Sequence, residues 1–358
     1  MTDDGPVAED GPVREDATED ALVLDGPGSH RLETRPVAGP GPGDARVRVH
    51  ASGICGSDRE IYQGNRPEGY VRYPITPGHE WSGTVEAVGA GVPAALVGRK
   101  VVGEGFRNCQ VCDRCHAGDT TLCTAGYEET GFTQPGAMAT TLTLPARLLH
   151  PLADDADLSA AALLEPAACV AAAALKANAQ PGERVAVVGT GTLGMIAVQF
   201  LAAASPAELL VVDIRRDREE LSLSFGATTF HTPDTLPEAE AGTYDIVIET
   251  AGSASAARDS AALLRRGGRL VLTGLPAAGA DGLDPTDLVV RQLEVRTVFG
   301  APPAAWAHAV RVFDAGLLSL LPLVTHELPL TDFGTAIDLV GSGDPKVGKV
   351  LLRPQGLP

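Results

Sequence analysis

The chain is short of bases. Its 358 residues carry 28 Lys and Arg against 46 Asp and Glu, a formal charge of −18. An acidic surface repels nucleic-acid phosphates and anionic lipid, so neither a nucleic acid nor a membrane is expected as partner. Long apolar runs are missing as well. A membrane-spanning helix needs about 20 apolar residues, and the greasiest stretch, Leu158 to Leu175, is mostly alanine and is broken by Glu165 and Pro166. The opening Met1-Thr2-Asp3-Asp4 lacks the basic and apolar regions of a signal peptide. These absences together lead to the expectation of a cytoplasmic protein. Cysteine is sparse, six in all, and clustered cysteines in a long intracellular chain point to metal before disulfide.

What is present suffices for about two domains with cores of their own, since 44% of the residues are hydrophobic. Residues 1–20 hold eight acids against one base, Arg14, and almost no large apolar side chain. They are expected to be a disordered acidic tail. Ala21 to Asp25 reads as the first strand, and Arg46 to Val49 alternates polar and apolar as a half-buried strand does. Glycine-rich turns then separate short strands through Leu144, which implies an irregular, mostly β domain. After about residue 157 helical stretches alternate with buried strands. The strands are Val185–Val188, Leu209–Asp213, Tyr244–Thr250, Arg269–Leu275 and, last, Leu293–Phe299, with a helix over Leu193–Ala204. That alternation is the pattern of a doubly wound parallel sheet. Pro302-Pro303 marks a boundary, followed by a helix around Trp306 to Ala315 and short strands ending at Lys349 to Leu352.

Gly189-Thr190-Gly191-Thr192-Leu193-Gly194 stands between strand and helix. In such a G-x-G-x-x-G turn the first glycine makes the tight bend, the second admits a pyrophosphate to the backbone, and the third lets helix and strand pack closely. Asp213, at the end of the next strand, is placed to bind ribose hydroxyls. Its charge favours NAD over NADP. Arg215, Arg216 and Arg218 keep NADP possible, Arg218 being a candidate contact to the coenzyme.

Cys109, Cys112, Cys115 and Cys123 form C-x2-C-x2-C-x7-C. Four thiolates on one tight loop suit a closed, structural zinc site. An iron–sulfur cluster or two disulfides are the alternatives for the same spacing. A second set is dispersed: Cys55 in Gly53-Ile54-Cys55-Gly56-Ser57-Asp58, His79 and Glu80 in Pro77-Gly78-His79-Glu80-Trp81-Ser82-Gly83, and Glu165 before Pro166. A thiolate, an imidazole and a carboxylate would leave a fourth position open, the form of a catalytic zinc site. No spacing rule selects this set by itself. Cys169, four residues beyond Glu165, is a competing ligand. Proline at 166 favours an extended backbone at Glu165.

Taken together these segments resemble the zinc-containing medium-chain dehydrogenase/reductase family, with Gly78-His79-Glu80-x-x-Gly83-x5-Gly89 similar to its zinc signature. The order of the parts agrees from about Ala21 to the C-terminus. The resemblance implies a GroES-like, mostly β catalytic domain built from residues 21–166 and 301–358, and a Rossmann coenzyme domain over 167–300. It implies two zinc ions per chain, NAD as coenzyme, and a cleft between the domains where a small alcohol or ketone reacts. By position Cys55, His79 and Glu165 are the implied catalytic-zinc ligands. Glu80 is the adjacent carboxylate that approaches the metal, and Ser57 is the hydroxyl that passes the substrate proton outward. The chain departs from the family at Glu60, where a histidine often ends the proton relay. A carboxylate there suits a relay, a contact to a substrate amine or hydroxyl, or only a solvated charge.

Glu165-Pro166 resembles the polyol, threonine and sugar dehydrogenase branch. Patches such as Tyr73 to Val85 and Leu96 to Gly103 are similar to cyclitol-oxidising enzymes of aminoglycoside antibiotic biosynthesis. The expected reaction is hydride transfer between a secondary alcohol (polyol, cyclitol or amino-cyclitol) and NAD. The alternatives are a threonine, butanediol or sugar dehydrogenase, a zinc-free reductase of the same fold, and a non-catalytic NAD- or zinc-binding protein. The strand Leu293–Phe299 falls at a sheet edge in this topology, and an unpaired edge invites a partner. A homodimer or homotetramer is the expected assembly.

Overall fold

The computed structural model describes residues 18–276 and 279–357. Most of the expected acidic tail, residues 1–17, lies outside these. The last three residues of that tail are not tail: Thr18–Gly26 is a strand paired antiparallel with Ser29–Pro36. Cross-strand partners explain why. Glu19 faces Arg35 across the pair, with a 2.7 Å ion pair.

Two larger sheets carry the molecule. The first has seven strands and is mostly antiparallel. Its spatial order is Val324–Pro329, Lys349–Arg353, Asp44–Ile54, Glu80–Val88, Lys100–Gly103 and Leu149–Pro151, with Thr141–Pro145 also pairing on Asp44–Ile54. The long strand Asp44–Ile54 takes partners from both ends of the chain, so the GroES-like half closes only when the C-terminal strand docks. The second sheet is wholly parallel, ordered Thr229–His231, Glu208–Val212, Arg184–Val188, Tyr244–Glu249, Leu264–Leu272 and Glu294–Thr297. Its central strands are apolar on both faces, as helices on both sides of a parallel sheet require. Thr229–His231 had no signal in the sequence because it is three residues long with one buried side chain, Phe230. Glu294–Thr297 is the outermost strand, and Val295 and Phe299 are exposed there.

The helix Leu164–Ala177 crosses the boundary expected at residue 166 without a break. Pro166 lies in its first turn, where the missing N–H costs no helical bond. Glu165 is therefore helical, not extended as the proline suggested. The alanines of this helix pack against Thr192–Ala203 and Pro303–Asp314, and one apolar core runs from Ala51 and Val102 of the first sheet to Val185, Ile246 and Val271 of the second. No helix among the described residues is long and apolar enough to cross a membrane.

The turn after Arg184–Val188 shows what its glycines are for. Gly189 has φ +101°, a conformation that disfavours side chains. A Cβ on Gly194 would overlap the Gly189 carbonyl, whereas one on Gly191 would meet nothing within 4 Å. Gly194→Ala is therefore expected to cost about 1–3 kcal/mol of stability, the range for an overpacked site. Gly191→Ala should unfold like the wild type yet bind coenzyme more weakly. Thermal unfolding and coenzyme titration of both variants check this; equal stability loss in the two would contradict it.

Candidate active site

The dinucleotide cradle lies at the carboxyl ends of the parallel strands. Gly189, Thr190, Gly191 and Asp213 line a cavity of about 740 Å³. Asp213 is held by the backbone: it accepts hydrogen bonds from the Thr190 N–H at 2.5 Å and the Arg215 N–H at 2.7 Å. Arg215 lines the same cavity and donates to the Thr190 hydroxyl at 3.2 Å. Arg218 does not join them. Its guanidinium donates to the Pro345 carbonyl at 2.8 Å, and it is not among the residues around the cradle. Three residues further along the turn, it faces the loop before the last strand, so Arg215 holds the position expected for Arg218. Leu193 faces a second cavity, next to the first.

That second cavity, about 450 Å³, is the cleft between the two halves, and most of the dispersed residues meet on its walls. Cys55 caps the helix Gly56–Gln63 where the strand Asp44–Ile54 ends, and His79 directly precedes the strand Glu80–Val88. Ligand atoms of Cys55, His79 and Glu80 lie within 4.8 Å of one another. Glu165 lines the same cavity from the first turn of its helix but stands outside that tight trio. Burial raises its carboxyl to about 7, with His79 opposing and Glu80 and Glu129 adding to the rise. Cys169 lies one turn further on, its sulfur 3.7 Å from Glu165 Oε1, and burial holds its thiol well above the usual range.

The supporting residues were not legible beforehand. Asp58 is buried, accepts from the Cys55 N–H at 2.9 Å, and places its other oxygen 3.6 Å from His79 Nδ1. That carboxylate faces the imidazole without a hydrogen bond to it, and His79 Nε2 is 3.4 Å from Ser57 Oγ on the cleft. Burial would depress His79, but Asp58 and Cys55 more than offset it and the ring stands well above its ordinary pKa. A cation at Nε2 would take the place of that proton. Lys349, from the far end of the chain, donates to both oxygens of Glu80 at 2.8 and 2.6 Å inside the protein. Gly53 makes room, because a Cβ on it would overlap the Glu80 carboxylate. Glu60 reaches the cavity but is half-exposed and pairs with Arg66 at 3.5 Å. Arg66, Glu129 and Phe132 also line the cavity, with Tyr127 behind them bonded to Arg66 and Glu129, and nothing in their spacing signalled it. The one available hint was Cys55-x-x-Asp58, a capping arrangement that places an acid beside a candidate ligand.

The four-cysteine loop is compact. The sulfurs of Cys109, Cys112, Cys115 and Cys123 lie within 4.8 Å of one another and none forms a disulfide. Cys112 caps the short helix Asp113–His116, and N–H donors from Thr124 and Cys115 pull its thiol down to about 5. The Cys109 N–H likewise donates to Cys123 at 3.4 Å. Burial and its sulfur neighbours push the Cys115 thiol up to about 12, and four sulfurs gathered on one loop are the donor set of tetrahedral zinc.

Comparison with known proteins agrees with both halves. Residues 41–154 match the alcohol dehydrogenase GroES-like domain and residues 192–315 the zinc-binding dehydrogenase domain. The chain is 31% identical to an L-threonine 3-dehydrogenase of Symbiobacterium thermophilum, over 92% of this chain and 95% of that one. Among solved structures it is similar to a thermostable alcohol dehydrogenase from Pyrobaculum aerophilum, at 32% identity and TM-score 0.84, covering 94% of this chain and all of that one. It is also similar to a dehydrogenase from Sinorhizobium meliloti solved with NADP, at 26% identity and TM-score 0.87 with the same coverage.

Cys115→Ser is expected to remove one metal equivalent and lower the unfolding temperature by roughly 5 °C or more, since a structural metal stabilises only the folded loop. Metal analysis and calorimetry check it; unchanged metal content and stability would exclude a structural ion here.

Proposed function

The chain belongs to the zinc-containing medium-chain, alcohol-dehydrogenase-like family, and from that premise we propose that it transfers a hydride between a secondary alcohol of a polyol or cyclitol and NAD. The observation that carries this reading is the cleft itself: Cys55, His79 and Glu165 share one cavity with Leu193 and Thr250 of the dinucleotide half. The donor set fits a catalytic zinc, a thiolate, an imidazole and a carboxylate with one position left open. Glu165 is the third ligand in this reading because both oxygens of Glu80 are already engaged by Lys349. The four cysteines hold the second zinc. Asp213 favours NAD, and Arg215 beside it leaves NADP as the second coenzyme.

Cys55, His79 and Glu165 would hold a zinc ion that would supply Lewis acidity toward the alcohol, and the Gly189–Gly194 turn with Asp213 would hold a nicotinamide coenzyme that would supply the hydride acceptor. The chain's own residues do the rest. Asp58 stands behind the His79 ring, whose Nε2 faces Ser57 on the cleft. Ser57 Oγ takes the hydroxyl proton and passes it toward solvent. Leu193, Val298 and Phe299 give the cleft apolar lining on which a nicotinamide and a carbon skeleton can pack. A second reading, an L-threonine or diol dehydrogenase, is favoured by the likeness to the Symbiobacterium enzyme. Association of copies through the open edge at Glu294–Thr297 into a homodimer or homotetramer belongs to the same proposal.

Two variants test the assignment. Ser57→Ala should lower turnover about 10²-fold, the size of a lost proton-transfer contribution, with zinc and coenzyme still bound; full turnover would make Ser57 structural. Glu165→Ala should lose the cleft zinc and NADH formation together, while Cys169→Ala keeps both. The assay is NADH formation across polyols, cyclitols, diols and threonine, alongside zinc analysis. A zinc-replete, active Glu165→Ala protein would remove that residue from the site.

A further inference from the structure

One buried carboxylate on the coenzyme side of the cleft is used by none of these steps. Glu249 ends the strand Tyr244–Glu249, beside the strand that leads into the glycine turn, and is 2% exposed. Its Oε1 accepts from the N–H groups of Ala251 and Gly252 at 2.7 Å each. Its backbone carbonyl accepts from the Thr273 N–H at 3.0 Å and the Thr273 hydroxyl at 2.7 Å. Its Oε2 lies against Gly274, where a Cβ would stand only 2.7 Å from it. Glu249 thus sits beneath two turns at once, residues 250–252 and 273–274. Both turns line the cavity of Cys55, His79 and Glu165, and Thr250 and Ala251 also line the dinucleotide cradle.

That place decides what its charge can act on. A coenzyme held at Gly189 to Gly194 and Asp213 can exchange a hydride beside Ser57 only with its ring in the cleft, and these two turns are part of the wall that the coenzyme half gives to the cleft. The carboxylate is met by two backbone N–H groups, the donors that an anion takes. Among the described residues no Lys, Arg or His forms an ion pair with it. Dipoles hold a charge in place without cancelling it, and a buried charge is little screened by salt. An oxidised nicotinamide ring carries a positive charge, whereas the ring that has taken a hydride carries none. A fixed anion beneath this wall therefore favours the oxidised form.

We infer that Glu249 is a specificity-determining residue for the oxidation state of the coenzyme, its charge tightening NAD relative to NADH. The inference rests on the proposed reaction for the coenzyme's place in the cleft. A Glu249 that only braced the two turns would change both affinities alike; a charge acting on the ring changes their ratio.

The test uses the zinc-loaded protein without alcohol and measures by calorimetry the Kd of NAD, of NADH and of ADP-ribose, which lacks the ring. NADP and NADPH take their place if that pair binds more tightly. Glu249→Gln removes the charge but keeps an oxygen for both N–H groups, so ADP-ribose should bind as it does to the wild type. The ratio of the NAD Kd to the NADH Kd should rise about tenfold, the size of one charge acting on another through protein without contact. Glu249→Asp, which keeps the charge, should leave the ratio near its wild-type value even where the shorter side chain weakens all three ligands. An unchanged ratio in Glu249→Gln overturns the inference, as does the same rise in Glu249→Asp. If Glu249→Gln loses ADP-ribose as well, Leu275→Lys is read in its place. Leu275 is 72% exposed, lines the same wall and lies next to Gly252. A cation there opposes Glu249 and should raise the ratio; an unchanged ratio again overturns the inference. NADH formation from alcohols is measured separately. A Glu249-dependent ratio in a protein that oxidises no alcohol would support this inference and count against the hydride-transfer reading, whereas a wild type that binds neither form of the coenzyme would overturn both.

Discussion

Much of the molecule depends on how the chain passes Gly53. On one side Gly53 is paired with Glu80, on the other with Leu351 of the C-terminal strand. Because Gly53 has no side chain, the Glu80 carboxylate lies against its backbone, and Lys349 reaches it from two residues before Leu351. An ion pair sealed from water is expensive unless its hydrogen-bonding capacity is used. Here both Glu80 oxygens accept from Lys349, whose third contact is the Ile54 carbonyl at 3.3 Å. The pair clamps the last strand to the first sheet and fixes the residue next to His79.

The second constraint is the alanine-rich helix Leu164–Ala177. Small side chains let it lie close to Thr192–Ala203 and Pro303–Asp314, so the two halves share one core rather than touching across a wet interface. Its first turn projects Glu165 and, one turn on, Cys169 into the cleft. The helix therefore ties the reacting geometry to the packing of the coenzyme half. A cleft built from rigid elements of both halves suits a reaction that needs two partners at contact distance.

The cleft walls divide by chemistry. One side is apolar, with Leu193, Val298 and Phe299; the other carries Glu60, Arg66 and Glu129. On the polar side Glu60 pairs with Arg66, and Glu129 accepts from the Tyr127 hydroxyl. The likeness to threonine and alcohol dehydrogenases places the chain in a family whose members take different alcohols, and this wall is made of groups that the family's metal and coenzyme motifs do not include.

By itself the sequence determined the parts that are local. The glycine turn with Asp213 24 residues beyond its first glycine, the C-x2-C-x2-C-x7-C loop and the alternation of strand and helix each encode their chemistry within a short span, because backbone conformation and tight spacing are written in neighbouring residues. The Gly78-His79-Glu80 segment was legible as a likeness for the same reason. Tertiary structure decided what comes from distant segments. Lys349 meets Glu80 across 269 positions, and Arg66 meets Tyr127 across 61; neither partner carries a pattern that names the other. Arg218 turned to Pro345 rather than to the coenzyme because the geometry of one short turn chose between three arginines. Glu165 became helical against the local preference before proline because helix packing outweighed it. A contact between remote segments is a property of the packed core, and short-range sequence preference is too weak a force to specify it.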